Sequence, residues 1–83
     1  MVQREDGSFL VAGWMPADEF CDKLQLPRDL AGEYETVAGL FLHHLGHMPA
    51  LGDKKRINDW EFEVIDLDDR RIDKLLVSRA PGA

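Results

Sequence analysis

The segment Trp60–Arg79, WEFEVIDLDDRRIDKLLVSR, constrains this chain more than any other. Trp60, Phe62 and Val64 alternate with Glu61 and Glu63, the period of two that sends one face of a strand into a core and the other into water. The apolar parity then moves to Ile65 and Leu67, and a bulge near Val64–Ile65 would produce such a shift. Asp68-Asp69 turns the chain, and Arg70–Arg79 reads as a second long strand. An antiparallel sheet with helices packed on one face satisfies this pattern.

The remaining segments supply the partners. Asp6-Gly7 is a hairpin signal, because glycine tolerates positive φ, and it joins a strand near Val2–Glu5 to one near Ser8–Ala12 that ends at Gly13. Pro16 suits the first turn of a helix, Asp18 and Glu19 favour its dipole, and Pro27 stops it, which gives a helix over Pro16–Leu24. The stretch RDLAGEYE is polar and reads as irregular. Thr36 is an N-cap. Val37, Leu40, Phe41 and Leu45 then form an apolar stripe, Gly46 sits where a left-handed cap belongs, and Pro49 follows. That gives a second helix, Thr36–Leu45. Gly39 inside it costs about 0.8–1 kcal/mol relative to Ala, and close approach to a strand is the expected reason. Lys54–Ile57 is a short strand and Asn58-Asp59 a tight turn. The order is ββααβββ, an α+β fold with a small, mostly antiparallel sheet and two helices on one face. Residues 1–79 form the domain and 80–83 a tail.

Bulk properties exclude several function classes. A chain of 83 residues is one domain, and such a domain buries only roughly 60–65% of its unfolded surface, which leaves little room for a deep enclosed site. No apolar run approaches the roughly 18–20 residues that span a bilayer, and MVQREDGSF lacks the apolar core of a signal peptide. The single Cys21 has no internal disulfide partner, which fits a reducing compartment. Net charge is −6, and the cations in DKKRIND and DDRRIDK are interleaved with acids. Nucleic-acid binding rests on a basic patch, so no nucleic-acid partner is expected.

Two clusters are candidate metal ligands. His43, His44 and His47 fall within HHLGH, and His43 and His47 are four apart, the spacing of two imidazoles on one helix face. The Glu of an H-E-x-x-H helix is missing, however, and Gly46 would end the helix before His47. A charged His near a helix C-terminus also has a plain structural role. Asp66, Asp68 and Asp69, with Asp73 nearby, form an oxygen-rich turn of the kind that suits Mg²⁺ or Ca²⁺. Arg70 and Arg71 compete for those carboxylates, and the spacing is not an EF-hand. A solvated acidic hairpin is the favoured explanation of it. Catalytic machinery is sparse. Cys21 sits on the apolar helix side, Ser8 and Ser78 lie outside any G-x-S-x-G, and no phosphate-binding glycine loop occurs. No enzyme is expected, and no cofactor beyond a divalent cation.

In order and spacing, RE-DGSFLVAG, MPADEF, YETVAGLFLHHLGHMPALGD and WEFEVIDLDDRRIDKLLV resemble the CorC/HlyC transporter-associated domain along nearly the whole chain. The most specific pieces are Asp6-Gly7-Ser8, Gly13, the block with Gly39, Leu45, Gly46 and Pro49, Gly52-Asp53, and the hairpin with Phe62, Val64 and Arg70-Arg71-Ile72. The resemblance implies a C-terminal domain of a membrane protein that also carries a transporter domain and a pair of CBS domains. Some relatives in cation/proton antiporters and haemolysin-like proteins carry it too. It implies a regulatory or assembly role in Mg²⁺ and Co²⁺ efflux, on the cytoplasmic face of the bacterial inner membrane. The expected partners are the parent's own CBS pair and transmembrane domain, and a second copy in a homodimer. The fragment itself is not expected to insert into the membrane. The family fold is similar to a subdomain of FAD-binding oxidoreductases. The alternative function is therefore a sensor for a divalent cation or an adenine-containing cofactor such as FAD. In such domains the positions of His43 and His44 are often acidic and that of His47 is often Arg, so the histidines fall outside the family motif. Trp14 and Asn58-Asp59 depart mildly from the pattern.

Overall fold

The computed structural model describes residues 1–82; Ala83, the end of the expected tail, lies outside the described residues. The elements run β1 (Val2–Gln3), β2 (Phe9–Ala12), α1 (Ala17–Lys23), α2 (Arg28–Ala31), α3 (Val37–Leu45), β3 (Lys54–Ile57), β4 (Trp60–Asp68) and β5 (Arg71–Arg79). All strand pairs are antiparallel, in the order β1-β2-β5-β4-β3. The α+β class holds, with three helices instead of two. The extra one, α2, is a single turn between Pro27 and Gly32, too short to complete an apolar period that sequence reading could detect.

Local chemistry sets the boundaries. Gly7 at φ 88° closes a three-residue loop, with Arg4 N–H donating to the Ser8 carbonyl at 2.7 Å and Gly7 N–H to the Arg4 carbonyl at 3.0 Å. Pro16 is the residue before α1, not its first. The Thr36 hydroxyl accepts the Gly39 N–H at 3.2 Å, and Gly46 ends α3 at φ 79° with its N–H on the Leu42 carbonyl at 3.0 Å. The starts of α1 and α3 are tied together: Ala17 N–H donates to the Glu35 carbonyl at 3.0 Å and Val37 N–H to the Met15 carbonyl at 2.9 Å.

The parity shift in β4 is real and has a partner. Val64 faces Leu75, Asp66 faces Lys74 and Leu67 faces Ile72. Ile65 is therefore the extra residue on β4 and Asp73 the extra residue on β5. One inserted residue on each strand turns both by one position, so Leu67 and Ile72 rejoin the buried side together. That side carries Val11, Phe62, Val64, Ile72, Leu75 and Val77, and the helices cover it with Phe20, Cys21, Val37 and Phe41. Phe62 lies between Phe20 and Phe41, with centroids 5.7 and 6.1 Å away. Ala80, the first residue of the expected tail, is buried, and its N–H donates to the Asp59 carbonyl at 2.9 Å.

Candidate functional site

A groove runs along α3 where the helix meets the tip of the β4–β5 hairpin. Its floor is Ala38, Leu42 and Ile72, Trp14 forms one wall, and Asp68, Arg70, Arg71 and Asp73 form the rim. The deeper end holds about 350 Å³. Gly13 builds that end. Its N–H donates to the Asp73 carbonyl at 2.9 Å and its carbonyl accepts the Ala38 N–H at 3.0 Å, so β2, α3 and the β5 bulge meet at one residue. A Cβ at position 13 would run into the Ile72 carbonyl oxygen. Gly39 makes no such approach: a Cβ there meets only the Thr36 hydroxyl at 3.5 Å and the Tyr34 Cβ at 4.0 Å. The close helix–strand contact expected at Gly39 is made at Gly13.

Trp14 is 75% exposed beside this groove. Its place after the glycine that ends β2 gave no sign of that, because exposure here depends on how α3 sits over the hairpin. Among the rim charges, only Arg71 and Asp68 come together, at 3.4 Å and exposed, a pair worth little in water.

The acidic residues do not converge. Asp66 stands opposite Lys74 in the ladder, Asp68 pairs with Arg71, and Asp69 occupies the turn at φ 60°. The expected turn Asp68-Asp69 is shifted by one residue to Asp69-Arg70. The three histidines also do not converge, because His43 and His44 lie ring to ring while His47 stands beyond the helix cap. The His43 ring packs 5.0 Å from Tyr34 and 5.5 Å from His44. His44 Nδ1 lies 3.0 Å from the Leu40 carbonyl oxygen. His47, beyond the Gly46 cap, has Nδ1 2.9 Å from the Met48 carbonyl oxygen and 4.0 Å from Asp53. Among the described residues no three His, Cys, Asp or Glu side chains are grouped to hold a metal.

Reactive groups are quenched. Burial pushes the Cys21 thiol up from its usual range. The Asp6 carboxyl is held low chiefly by the Ser8 hydroxyl, which donates to it at 2.5 Å, and Ser8 is thereby committed to the hairpin loop. What the groove offers is an apolar floor, an indole and mixed charge, which is equipment for contact.

Residues 2–81 match the family model described as transporter associated domain, CorC_HlyC. The chain is 40% identical to UPF0053 protein sll0260 of Synechocystis over 98% of its length and 19% of that protein's. It is 36% identical to the polyamine export protein of Salmonella typhimurium over 95% of its length and 18% of that protein's. It thus spans about a fifth of the curated relatives it matches. Among solved structures, it superposes with TM-score 0.83 and 40% identity on the CorC_HlyC domain of a Xylella fastidiosa hemolysin in complex with Mg²⁺ and Mn²⁺, covering 95% of each chain. A transporter-associated domain from a CBS domain protein of Porphyromonas gingivalis superposes with TM-score 0.84 and 29% identity, again over 95% of each chain.

Proposed function

The chain belongs to the CorC_HlyC transporter-associated domain family, whose members are non-catalytic domains of transporter proteins, and we propose that it is a regulatory and assembly module of a membrane exporter of cations. The observation that carries the reading is one of proportion. A domain matched along nearly its full length fills only about a fifth of each longer relative, and the Salmonella relative is named a polyamine exporter. The cargo is a multiply charged cation, either a polyamine, as that name suggests, or Mg²⁺ and Co²⁺, as the family resemblance implies. The module sits on the cytoplasmic face of the bacterial inner membrane. None of its described helices is long and apolar enough to cross a bilayer, and on this proposal the transport pathway lies in other parts of the parent. Its partners are the parent's transmembrane domain, a CBS pair, as the family resemblance implies, and a second copy of itself; the Porphyromonas gingivalis relative comes from a CBS domain protein. The groove beside Trp14 is the surface that receives one of the parent's own domains. Cation efflux by the parent with residues 1–83 removed is the test, and unchanged kinetics would end the reading.

A second reading has one observation in its favour: the Xylella fastidiosa domain is described in complex with Mg²⁺ and Mn²⁺. On it, the acidic hairpin tip at Asp66, Asp68 and Asp69 or the histidines of HHLGH bind a divalent ion weakly and report its level. Calorimetric titration with Mg²⁺, Mn²⁺, Co²⁺ and Zn²⁺, with FAD included for the flavin alternative, decides it. Saturable heat at millimolar ligand favours a sensor, and its absence removes that reading.

A further inference from the structure

The deep end of the groove beside Trp14 contains a carboxylate that nothing in the chain answers. Asp73 lines that end together with the Trp14 indole, the Thr36 hydroxyl and the apolar side chains of Ala38 and Ile72. It is the inserted residue of β5, so no residue of β4 stands opposite it. Its backbone carbonyl takes the Gly13 N–H at 2.9 Å, which fixes the main chain there. Its side chain is half-buried, and among the described residues it closes no ion pair within 4.0 Å. A half-buried carboxylate beside an exposed indole is the chemistry that recognises an organic ammonium group. The indole face attracts a cation through its quadrupole. The carboxylate takes the ammonium N–H groups in charge-assisted hydrogen bonds. The Thr36 oxygen, which already accepts the Gly39 N–H at 3.2 Å, keeps a second lone pair as a further acceptor. The apolar walls suit methylene groups, as they suit the stem of a lysine.

The shallow arm of the groove extends the same chemistry. It runs over Ala38, Leu42 and Ile72 to Asp69 at the hairpin turn, on the order of 10 Å from Asp73 by strand rise. Two arginines share this arm. Arg71 is turned to Asp68 at 3.4 Å, which leaves Asp69 and Asp73 against the single guanidinium of Arg70. The groove is thus negative by one charge, on a chain whose net charge of −6 draws cations toward it. A compact divalent ion needs several oxygens at once, and among the described residues none are grouped for it. An anion entering the deep end would meet Asp73. We infer that the groove binds an extended alkyl polyammonium ion, with one ammonium held between the Trp14 indole and Asp73 and a second at Asp69. The inference deepens the proposed function and rests on it: polyamine, in preference to Mg²⁺, is the cation to which the module responds. Ligand and docked domain then compete for one groove, so cargo level sets how often the domain is docked.

The test is a titration of the chain with spermidine in a Trp60→Phe background, where Trp14 is the remaining indole. Its fluorescence should change saturably, with half-saturation near about 1 mM, while MgCl₂ at equal ionic strength should leave it unchanged. Asp73→Asn should weaken spermidine at least about fivefold, and Arg70→Gln should tighten it about two- to threefold, since each changes one charge at the bound ion. Asp69 occupies the exposed turn at φ 60°, a conformation that Asn tolerates, so Asp69→Asn keeps the fold. That variant should weaken spermidine about twofold or more and leave n-butylammonium unaffected, because the single ammonium needs only the deep end. Thermal unfolding of each variant confirms the fold. No saturable change up to about 20 mM spermidine, an equal change with MgCl₂, or unaltered binding by both aspartate variants overturns the inference. Weakening by Arg70→Gln also overturns it, since that would mark an anion site. Binding is read on the chain and efflux on the parent, so the two readings fail separately: a chain that binds spermidine in a parent indifferent to its removal keeps the site and ends the regulatory function.

Discussion

Two glycines that look alike in the sequence have opposite roles. Gly13 lies where a Cβ would meet the Ile72 carbonyl, a backbone atom that cannot swing away. Gly13→Ala should therefore cost roughly 3 kcal/mol, toward the upper end for single substitutions, and it should distort the groove it builds. Gly39 has ordinary contact distances around a Cβ and a helical backbone. Gly39→Ala should stabilise by up to about 0.8–1 kcal/mol. Urea denaturation of the two variants checks both signs, and a stabilised Gly13→Ala would refute the junction. Cys21 supplies a pH prediction. Its folded pKa is raised by burial, so the stability linked to the neutral thiol is fully present below the unfolded value of about 8.5 and is lost as pH climbs through the folded value. Across about pH 7 to 10, the wild-type chain should lose stability relative to Cys21→Ala. The native thiol should also react with a disulfide reagent only on unfolding.

At the scale of elements, α3 is the best specified. Thr36, the apolar stripe and Gly46 all mark the same nine residues, and each is a local signal: a hydroxyl for an orphan N–H, a period, and a φ that suits glycine. Thr36→Ala should cost about 1 kcal/mol and Gly46→Ala about 1–2, as read by chemical denaturation. The β3–β4–β5 strands were legible for the same reason, since alternation and Asn58-Asp59 fix them within a residue or two. Legibility stops where a feature is decided by packing. A four-residue α2 has no period of its own and is held by Pro27, Gly32 and the exposed Arg28–Asp22 pair at 2.9 Å. The second bulge, at Asp73, matches the first, at Ile65, across the ladder; one strand's parity shift revealed only its own half. The groove is a gap between α3 and the hairpin tip, so Trp14, Arg71 and Asp73 carry no shared spacing that would mark them as neighbours.

For the whole molecule, the distribution of surface is more telling than any cluster of side chains. The histidines and aspartates that stood out in the sequence share no common site among the described residues: the histidines meet backbone carbonyls or neighbouring rings and Asp68 meets Arg71, and the features without an internal role are an aromatic-walled groove and an open sheet face. On the proposed function such a module acts through contact, and its effect is then to be sought in the transport behaviour of the larger protein. The most direct measurement is initial efflux rate against internal cation concentration, for polyamine and for Mg²⁺, by the parent with and without residues 1–83. A regulatory module predicts that the domain-deleted parent still transports, with the concentration for half-maximal efflux shifted several-fold. Curves that superimpose over the whole range, with equal amounts of protein in the membrane, would contradict it.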